Sequence, residues 1–240
     1  MVTGSSRGLG AGIAVALAEA GASIAIHGSV AIPEDTQKIL ADMGANQLAL
    51  VGDVADAAAC ARLVEETVQH FGRIDILVNN AGIIRRSPAV DHSEEDWTAV
   101  IDTNLNSVFH LTQHAGKHMI AQGSGKVVNV ASLLTFQGGI TVPSYAAAKG
   151  AVGQLTKAFA NEWASKGVNV NGIAPGYMST DNTEALRTDP ERARQIMERI
   201  PAGRWGNPED LAGAAVFLAS AASDYVHGHI LVVDGGWLNR

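Results

Sequence analysis

The chain has 240 residues, of which 47% are hydrophobic and 17% charged, with a formal net charge of −7. This composition excludes a disordered, coiled-coil or collagen-like protein and predicts a sizeable buried core. The negative balance argues against a dedicated nucleic-acid-binding protein. The single cysteine, Cys60, cannot form an intramolecular disulfide, so it fits a reducing compartment.

The start of the chain shows no secretory signal. The longest apolar stretch, residues 11–26, is broken by Glu19 and Gly21 and is too short to span a bilayer. The sequence therefore predicts a soluble, cytoplasmic protein with no membrane partner.

Short apolar runs alternate with helical patterns along the whole chain. Residues 1–3 leave almost no room for a strand before a glycine-rich loop, so either the first strand is clipped or residues upstream of Met1 are missing. Such alternation predicts an α/β fold, namely a Rossmann-type doubly wound parallel sheet with helices on both faces, in a single domain over residues 1–240. The strands are predicted at 23–27, 47–51, 74–79, 126–130, 168–173 and 229–233.

The strand–helix rhythm breaks at residues 177–199, where charged residues dominate. An insertion of this kind at the carboxyl edge of a parallel sheet lies where ligands bind. We therefore expect residues 177–199 to form a substrate lid.

Three glycines follow the first apolar run and open the first helical pattern. Gly4 permits a sharp turn, Gly8 lets the backbone approach a pyrophosphate, and Gly10 lets the helix pack closely on the sheet. The pyrophosphate would lie at the helix N-terminus, where free N–H groups and the dipole favour an anion. The loop predicts a dinucleotide site.

This loop and several later motifs together resemble the short-chain dehydrogenase/reductase family. The later motifs are Asp53-Val54, Asn79-Asn80-Ala81-Gly82, the tetrad Asn104, Ser132, Tyr145 and Lys149, and Pro175-Gly176 with Thr180. The resemblance covers essentially the whole chain and implies an NAD(P)-dependent oxidoreductase acting on a CH–OH group. It also implies a homotetramer, with residues 150–165 and the C-terminal strand at the interfaces. The cofactor-binding residues that it implies, together with the glycine loop, are Gly4, Ser6, Arg7, Gly8, Leu9, Gly10, Ser29, Asp53, Val54, Asn80, Ala81, Gly82, Tyr145, Lys149, Pro175, Gly176 and Thr180.

The tetrad residues suit proton transfer to a carbonyl oxygen. Tyr145 and Lys149 are four residues apart, so on a helix they share one face. We expect the ammonium and an oxidised nicotinamide to lower the pKa of the phenol, which would act as general base or acid. Ser132 follows a buried strand and would hydrogen-bond the reacting oxygen. By resemblance, Asn104 holds a water that relays protons to Lys149, and Lys149 grips the nicotinamide ribose.

The choice between NAD(H) and NADP(H) stays open. No acid ends the strand predicted at 23–27, where an acid would select the ribose 2′-hydroxyl of NAD. Arg7 with Ser29 would instead suit a 2′-phosphate. The members of the family that the chain resembles most are, however, typically NAD-linked. His27 either stacks beside the adenine or fills a strand end.

The pair Arg85-Arg86 follows the Asn-Asn-Ala-Gly motif at the rim of the predicted site. An arginine there would bind a carboxylate through two parallel hydrogen bonds, although paired surface arginines are often only solvated. Segments 83–86, 132–139, 200–206 and 233–237 resemble sugar-acid members of the family. The resemblance implies a secondary alcohol or ketone of a deoxy sugar acid as substrate, with Gln137 and Tyr177 near its hydroxyls.

Two alternatives remain. A 3-oxoacyl carrier-protein reductase would share Ser5-Ser6-Arg7 and the segment 145–149. A non-catalytic dinucleotide sensor would not need Tyr145 and Lys149. No metal is expected, because the histidines at 110, 114 and 118 share a helix face without a carboxylate or cysteine at ligand spacing.

Overall fold

All paired strands of the computed structural model, which describes residues 1–240, run parallel. The predicted strands are present, and their ends differ from the predicted ends by at most two residues. The strands are β1 (Ile24–Gly28), β2 (Gln47–Val51), β3 (Ile76–Asn79), β4 (Gly125–Val130), β5 (Val168–Pro175) and β6 (Ile230–Val233).

Residues 1–3 join two groups of strands into one continuous sheet. β1 pairs with β2, and the other four strands pair in the order β3-β4-β5-β6. Val2 bridges Ile26 and Val78 in parallel register. The Val2 N–H donates to the Ala25 carbonyl at 2.9 Å, and the Thr3 N–H donates to the Val78 carbonyl at 3.0 Å. The first segment therefore lies at the centre of the sheet although it is only a few residues long.

The helices cover both faces of this sheet. They are α1 (Gly8–Glu19), α2 (Glu34–Asp42), α3 (Ala57–Phe71), α4 (Glu94–Ile101), α5 (Ser107–Gln122), α6 (Pro143–Trp163), α7 (Glu184–Arg187), α8 (Pro190–Arg199) and α9 (Ala212–Ala219). One face of the sheet packs against α3, α5 and α6 through residues that include Leu63, Leu111 and Trp163. The other face packs against α1, α2 and α9. This is the doubly wound, single-domain α/β fold that the sequence predicts.

Local chemistry determines where two of these helices begin. The Ser93 hydroxyl accepts a hydrogen bond from the Asp96 N–H at 3.1 Å, which caps α4. Asp189 caps α8 in the same way by accepting from the N–H groups of Glu191 and Arg192. A search of the helices for one that combines the length and the apolar character of a bilayer-spanning segment finds none.

The parallel strands end at one edge of the sheet. The phosphate-loop glycines, Asp53, Asn80 and Ser132 each follow a strand end there. Parallel topology thus gathers residues from across the chain at a single edge, where such sheets bind ligands.

Candidate active site

The glycine loop adopts a backbone that side chains would not tolerate. Gly4 and Gly8 have φ of +60° and +56°. A Cβ on Gly4 would lie 2.9 Å from the Cα of Ala81, and one on Gly10 would lie 2.3 Å from the Gly4 carbonyl oxygen. The loop therefore presents bare backbone at the N-terminus of α1, as a pyrophosphate cradle requires.

Side-chain hydrogen bonds join this loop to the Asn-Asn-Ala-Gly segment. The Asn80 amide donates to the carbonyls of Thr3 and Gly4 at 2.9 and 3.0 Å. The Thr3 hydroxyl accepts from the N–H groups of Asn80 and Ala81, both at 3.0 Å. Two segments almost 80 residues apart in sequence are thereby held as one rigid wall.

His27 binds the other side of the glycine loop through a hydrogen bond. This role was not predicted from the sequence. The His27 ring is buried, and Nδ1 accepts from the Gly4 N–H at 3.0 Å. Nε2 lies 2.8 Å from the Gly52 carbonyl, so this nitrogen carries the proton. Burial lowers the pKa of His27, which favours the neutral form that can make both bonds.

A groove of about 830 Å³ runs along this wall. A dinucleotide fits the residues present, because the groove follows the glycine cradle and the end of β1. Pro175 and Gly176 line a neighbouring cavity instead. The other predicted cofactor residues, Gly4, Ser6, Arg7, Gly8, Leu9, Gly10, Ser29, Asp53, Val54, Asn80, Ala81, Gly82, Tyr145, Lys149 and Thr180, line the groove.

Arg7 is already paired in this structure. Its guanidinium lies 2.8 Å from the Asp181 carboxylate, which belongs to the segment 177–199. Both side chains are largely exposed, so the pair is weak. A 2′-phosphate on the cofactor would compete with Asp181 for Arg7.

Tyr145 and Lys149 project from the same face of α6. The ammonium nitrogen is 5.7 Å from the centre of the Tyr145 ring and donates to the Val130 carbonyl at 2.5 Å. Burial lowers the pKa of Lys149 to about 8. It also raises the pKa of Tyr145, and the hydrogen bond of Ser132 and the charge of Arg86 offset this only in part.

The pKa of Tyr145 is raised in the protein chain by itself, whereas the sequence expectation concerns the site with an oxidised nicotinamide bound. A lowered pKa was expected from the Lys149 ammonium and the charge of an oxidised nicotinamide. In the protein chain by itself, removal of the phenol from water outweighs the neighbouring groups. Ser132 and Arg86 lower this pKa in part, and the charge of a bound oxidised nicotinamide would lower it further.

Ser132 is held in a turn that also contacts α6. Its hydroxyl accepts from the Leu134 N–H at 3.1 Å, and Thr135 closes a capping box with it. The Thr135 hydroxyl donates to the carbonyl of Lys149 at 2.9 Å. The turn that carries the serine is therefore fixed relative to the tyrosine and the lysine.

Asn104 is fully buried in a π-helical turn, Asp102–Asn106, between α4 and α5. Its side-chain amide donates to the Ile83 carbonyl and accepts from the Ile83 N–H, both at 2.8 Å. The amide thus fixes the chain just after the Asn-Asn-Ala-Gly motif. One N–H and one lone pair of this amide are not used by these two bonds.

A second cavity, of about 710 Å³, adjoins the nucleotide groove, and Tyr145 lines both. Ser132, Gln137 and Tyr177 contribute to its wall. Of the two rim arginines, Arg86 lines the cavity, whereas Arg85 forms an ion pair with Asp96 at 3.2 Å. Three of the four predicted substrate residues are therefore brought together.

The cavity also contains residues that the sequence interpretation missed. Arg192 and Arg199 of α8 line it, and so does the buried Trp237. With Arg86 they give the wall three arginines, and no aspartate or glutamate lines it. The signal in the sequence was the helical spacing of Arg192 and Arg199, which places both on one face.

Known proteins of the same architecture match the chain along its whole length. The family model described as Enoyl-(Acyl carrier protein) reductase matches residues 4–238. A 2-dehydro-3-deoxy-D-gluconate 5-dehydrogenase of Pseudoalteromonas atlantica is 56% identical over 100% of this chain and 95% of its own. The chain belongs to the short-chain dehydrogenase/reductase family. This confirms the resemblance inferred from the motifs.

Two further relatives are also named as dehydrogenases of sugar acids. A protein of Bacillus subtilis with the same name is 53% identical over 100% of this chain and 94% of its own. A gluconate 5-dehydrogenase of Burkholderia cenocepacia, solved in complex with NADP and tartrate, is 43% identical with a TM-score of 0.94. That comparison covers 99% of this chain and 94% of the other. The predicted activity class, an NAD(P)-dependent oxidoreductase acting on a CH–OH group, is confirmed.

Proposed function

We propose that this protein interconverts a secondary alcohol and a ketone in a deoxy sugar acid such as 2-dehydro-3-deoxy-D-gluconate or 2-deoxy-D-gluconate. The observation that carries the proposal is the cavity beside Tyr145, whose charged lining consists of arginines alone. Guanidinium groups that line a cavity without acidic partners favour an anionic ligand. The names of the relatives at 56% and 53% identity support the same substrate class.

In this mechanism Ser132 and Tyr145 bind the reacting oxygen of the substrate. When bound, the nicotinamide supplies or accepts the hydride. Tyr145 donates its phenolic proton to the carbonyl oxygen during reduction and removes the hydroxyl proton during oxidation. The Ser132 hydroxyl stabilises the developing charge on that oxygen.

Lys149 supports the tyrosine and holds the cofactor. It lines the nucleotide groove, where it would bind the nicotinamide ribose. Its ammonium lies against the Tyr145 ring and stabilises a phenolate when the proton leaves. Asn104 fixes Ile83 at the wall of the groove, and we propose that Asn104 also holds the water that relays protons to Lys149.

The predicted cofactor-binding residues are compatible with both NAD(H) and NADP(H). Gly4, Gly8 and Gly10 would hold the pyrophosphate, with Asp53 and Val54 beside the adenine. Pro175, Gly176 and Thr180 would border the nicotinamide. Arg7 and Ser29 border the open end of the groove, and no acid ends β1.

We further propose that residues 177–199 act as the substrate lid. This segment contains α7 and α8, and several of its side chains line the substrate cavity. Arg86 reaches it by donating to the Asn182 carbonyl at 3.3 Å. Gln137 and Tyr177 are proposed to contact the sugar hydroxyls.

A cytoplasmic homotetramer completes the proposal. Exposed aromatic surface supports the assembly, since Phe109 of α5 stacks on Phe159 of α6 and is 37% exposed. The proposed interfaces are residues 150–165 and the C-terminal strand. Cys60 is a free, buried thiol, which suits a reducing compartment.

Nicotinamide absorbance tests the proposal directly. NADH and NADPH are offered in turn with a keto-deoxy sugar acid and, separately, with a short 3-oxoacyl thioester. We expect turnover of the sugar acid. The faster nucleotide then settles the cofactor preference. Preference for the thioester would contradict the proposal and favour a carrier-protein reductase.

A further inference from the structure

α8 turns one face toward the substrate cavity. Arg192, Gln195, Ile196 and Arg199 all line that cavity, and their spacing is that of a single helix face. Ile196 is buried and anchors the helix in a small apolar cluster with Leu133. The anchored face therefore fixes where the two arginines lie relative to the cavity.

On the outer face of the same helix, both glutamates of α8 form ion pairs with Arg194. Arg194 lies 2.8 Å from the Glu191 carboxylate and 2.5 Å from the Glu198 carboxylate. These two glutamates are the only acidic residues of α8. Arg192 and Arg199 form no ion pair, in contrast to Arg194. The two arginines on the cavity side of the helix are thus not neutralised by an aspartate or glutamate, and their nearest polar partners are the Gln195 side chain and the Arg240 carbonyl.

A buried hydrogen-bond donor accompanies these arginines. Trp237 lines the cavity and is 5% exposed, and its indole N–H has no hydrogen-bond partner. The guanidinium of Arg199 lies 4.0 Å from the centre of the ring. An unpaired buried donor is costly, so an acceptor oxygen on a ligand would satisfy it.

The third cavity arginine, Arg86, donates to the carbonyl of Asn182, a residue that lines both the cavity and the nucleotide groove. Among the cavity arginines, Arg86 is the one whose charge acts on the Tyr145 phenol. In 2-dehydro-3-deoxy-D-gluconate, the substrate in the names of the 5-dehydrogenase relatives, the carboxylate at C1 and the reacting carbon at C5 lie toward opposite ends of the chain. A carboxylate anchor is therefore needed away from Tyr145.

We propose that Arg192 and Arg199 form the carboxylate subsite, with the Trp237 N–H donating to the same end of the substrate. Arg86 then serves the reacting end. This assignment rests on the proposed function and adds the specificity-determining residues to it. It makes α8 the element that distinguishes a sugar acid from a neutral sugar.

The test compares one sugar acid with its own carboxamide, which differs by the charge. kcat/KM is measured for both compounds with wild type, Arg192→Met, Arg199→Met and Arg86→Met. Arg194→Met is the matched control, because it removes the same charge from the outer face of the same helix. Melting temperature and nucleotide affinity verify that each variant is folded and binds the cofactor.

We expect wild type and Arg194→Met to prefer the acid strongly. Arg192→Met and Arg199→Met should lose about 10- to 100-fold in kcat/KM for the acid and change little for the carboxamide. Arg86→Met should reduce both substrates together. A folded Arg192→Met and Arg199→Met that kept the full preference, or a loss of preference in Arg86→Met alone, would overturn the assignment.

These outcomes separate the assignment from the function on which it rests. Wild type that turns over no sugar acid would contradict the proposed function itself. Wild type that turns over the acid, while both α8 variants keep its discrimination, would contradict only the carboxylate subsite.

Discussion

Tyr145 contributes to the walls of both the nucleotide groove and the arginine-lined cavity. The phenol is therefore the one catalytic group placed to touch both reactants. Tyr145→Phe should reduce turnover by at least about 10²–10⁴-fold, because it removes the proton donor and leaves the ring in place. Nucleotide affinity, measured by fluorescence titration, should stay near the wild-type value.

Tyr225→Phe provides the matched control, since that side chain is fully exposed. It should leave both turnover and nucleotide affinity unchanged. A Tyr145→Phe enzyme that kept the wild-type rate would remove the phenol from the mechanism.

Lys149 shows the stability cost of keeping an ammonium in the site. Burial lowers its pKa from 10.5 to about 8, so the native state binds this proton less tightly than the unfolded chain does. Below about pH 8 both states are protonated and the cost is constant. Between about pH 8 and 10.5 the native lysine is neutral while the unfolded one is still charged, so the stability of the wild type rises with pH.

We therefore expect inactive Lys149→Met to be more stable than wild type near pH 7, by about 1–3 kcal/mol. Loss of the hydrogen bond to the Val130 carbonyl keeps the gain small. Denaturant unfolding at several pH values should show the difference shrinking above pH 8. Lys38→Met, an exposed change on α2 outside the proposed interfaces, should show no such trend. A difference that grew above pH 8 would contradict the assigned cost.

At the scale of elements, the phosphate loop and the segment 177–199 meet through the ion pair of Arg7 and Asp181. Asp181→Asn should free Arg7 for a 2′-phosphate and strengthen NADPH binding about two- to five-fold, with little effect on NADH. Nucleotide titrations at low salt measure both affinities. Equal tightening of both nucleotides would show that Arg7 does not contact the 2′-phosphate.

Elements follow from local sequence more readily than the directions of side chains do. The apolar runs predicted the strands, because this pattern acts over a few residues. Arg85 and Arg86 are adjacent, and Asp96 on another element determines which of them turns away from the cavity. No local pattern contains that information.

The same limit explains what the sequence left out of the site. His27 joins Gly4 to Gly52 only because β1 is placed beside the loop. The basic face of α8 becomes a cavity wall only through the packing of Ile196 in its cluster. The family motifs identified the tetrad and the glycine loop from the sequence. The contacts of His27 and of α8 could not be predicted in this way, because they depend on how distant segments pack.

For the whole molecule, assembly should depend on the aromatic surface of α5 and α6. Phe109→Glu places a charge on the exposed edge of the Phe109–Phe159 stack, so it should shift the protein from a tetramer to smaller species in sedimentation. Val90→Glu is the matched control, because Val90 is almost fully exposed in a short turn and should leave the assembly intact. Wild type that sediments as a monomer would contradict the proposed tetramer.

The net charge of the molecule is −7, yet the only charged residues that line the cavity beside Tyr145 are arginines. Charge is therefore arranged locally for an anion, against the overall balance of the protein. This arrangement, together with Tyr145 at the junction of the two cavities, is what joins the nicotinamide chemistry to a sugar acid.

Isotope transfer tests that connection most directly. Reduced nicotinamide nucleotide carrying deuterium at its transferable position is incubated with the protein and a keto-deoxy sugar acid, and the product is examined by NMR. The account predicts deuterium on the newly formed carbinol carbon of the sugar acid. Deuterium that stays on the nucleotide, but is transferred when a 3-oxoacyl thioester is offered instead, would contradict it.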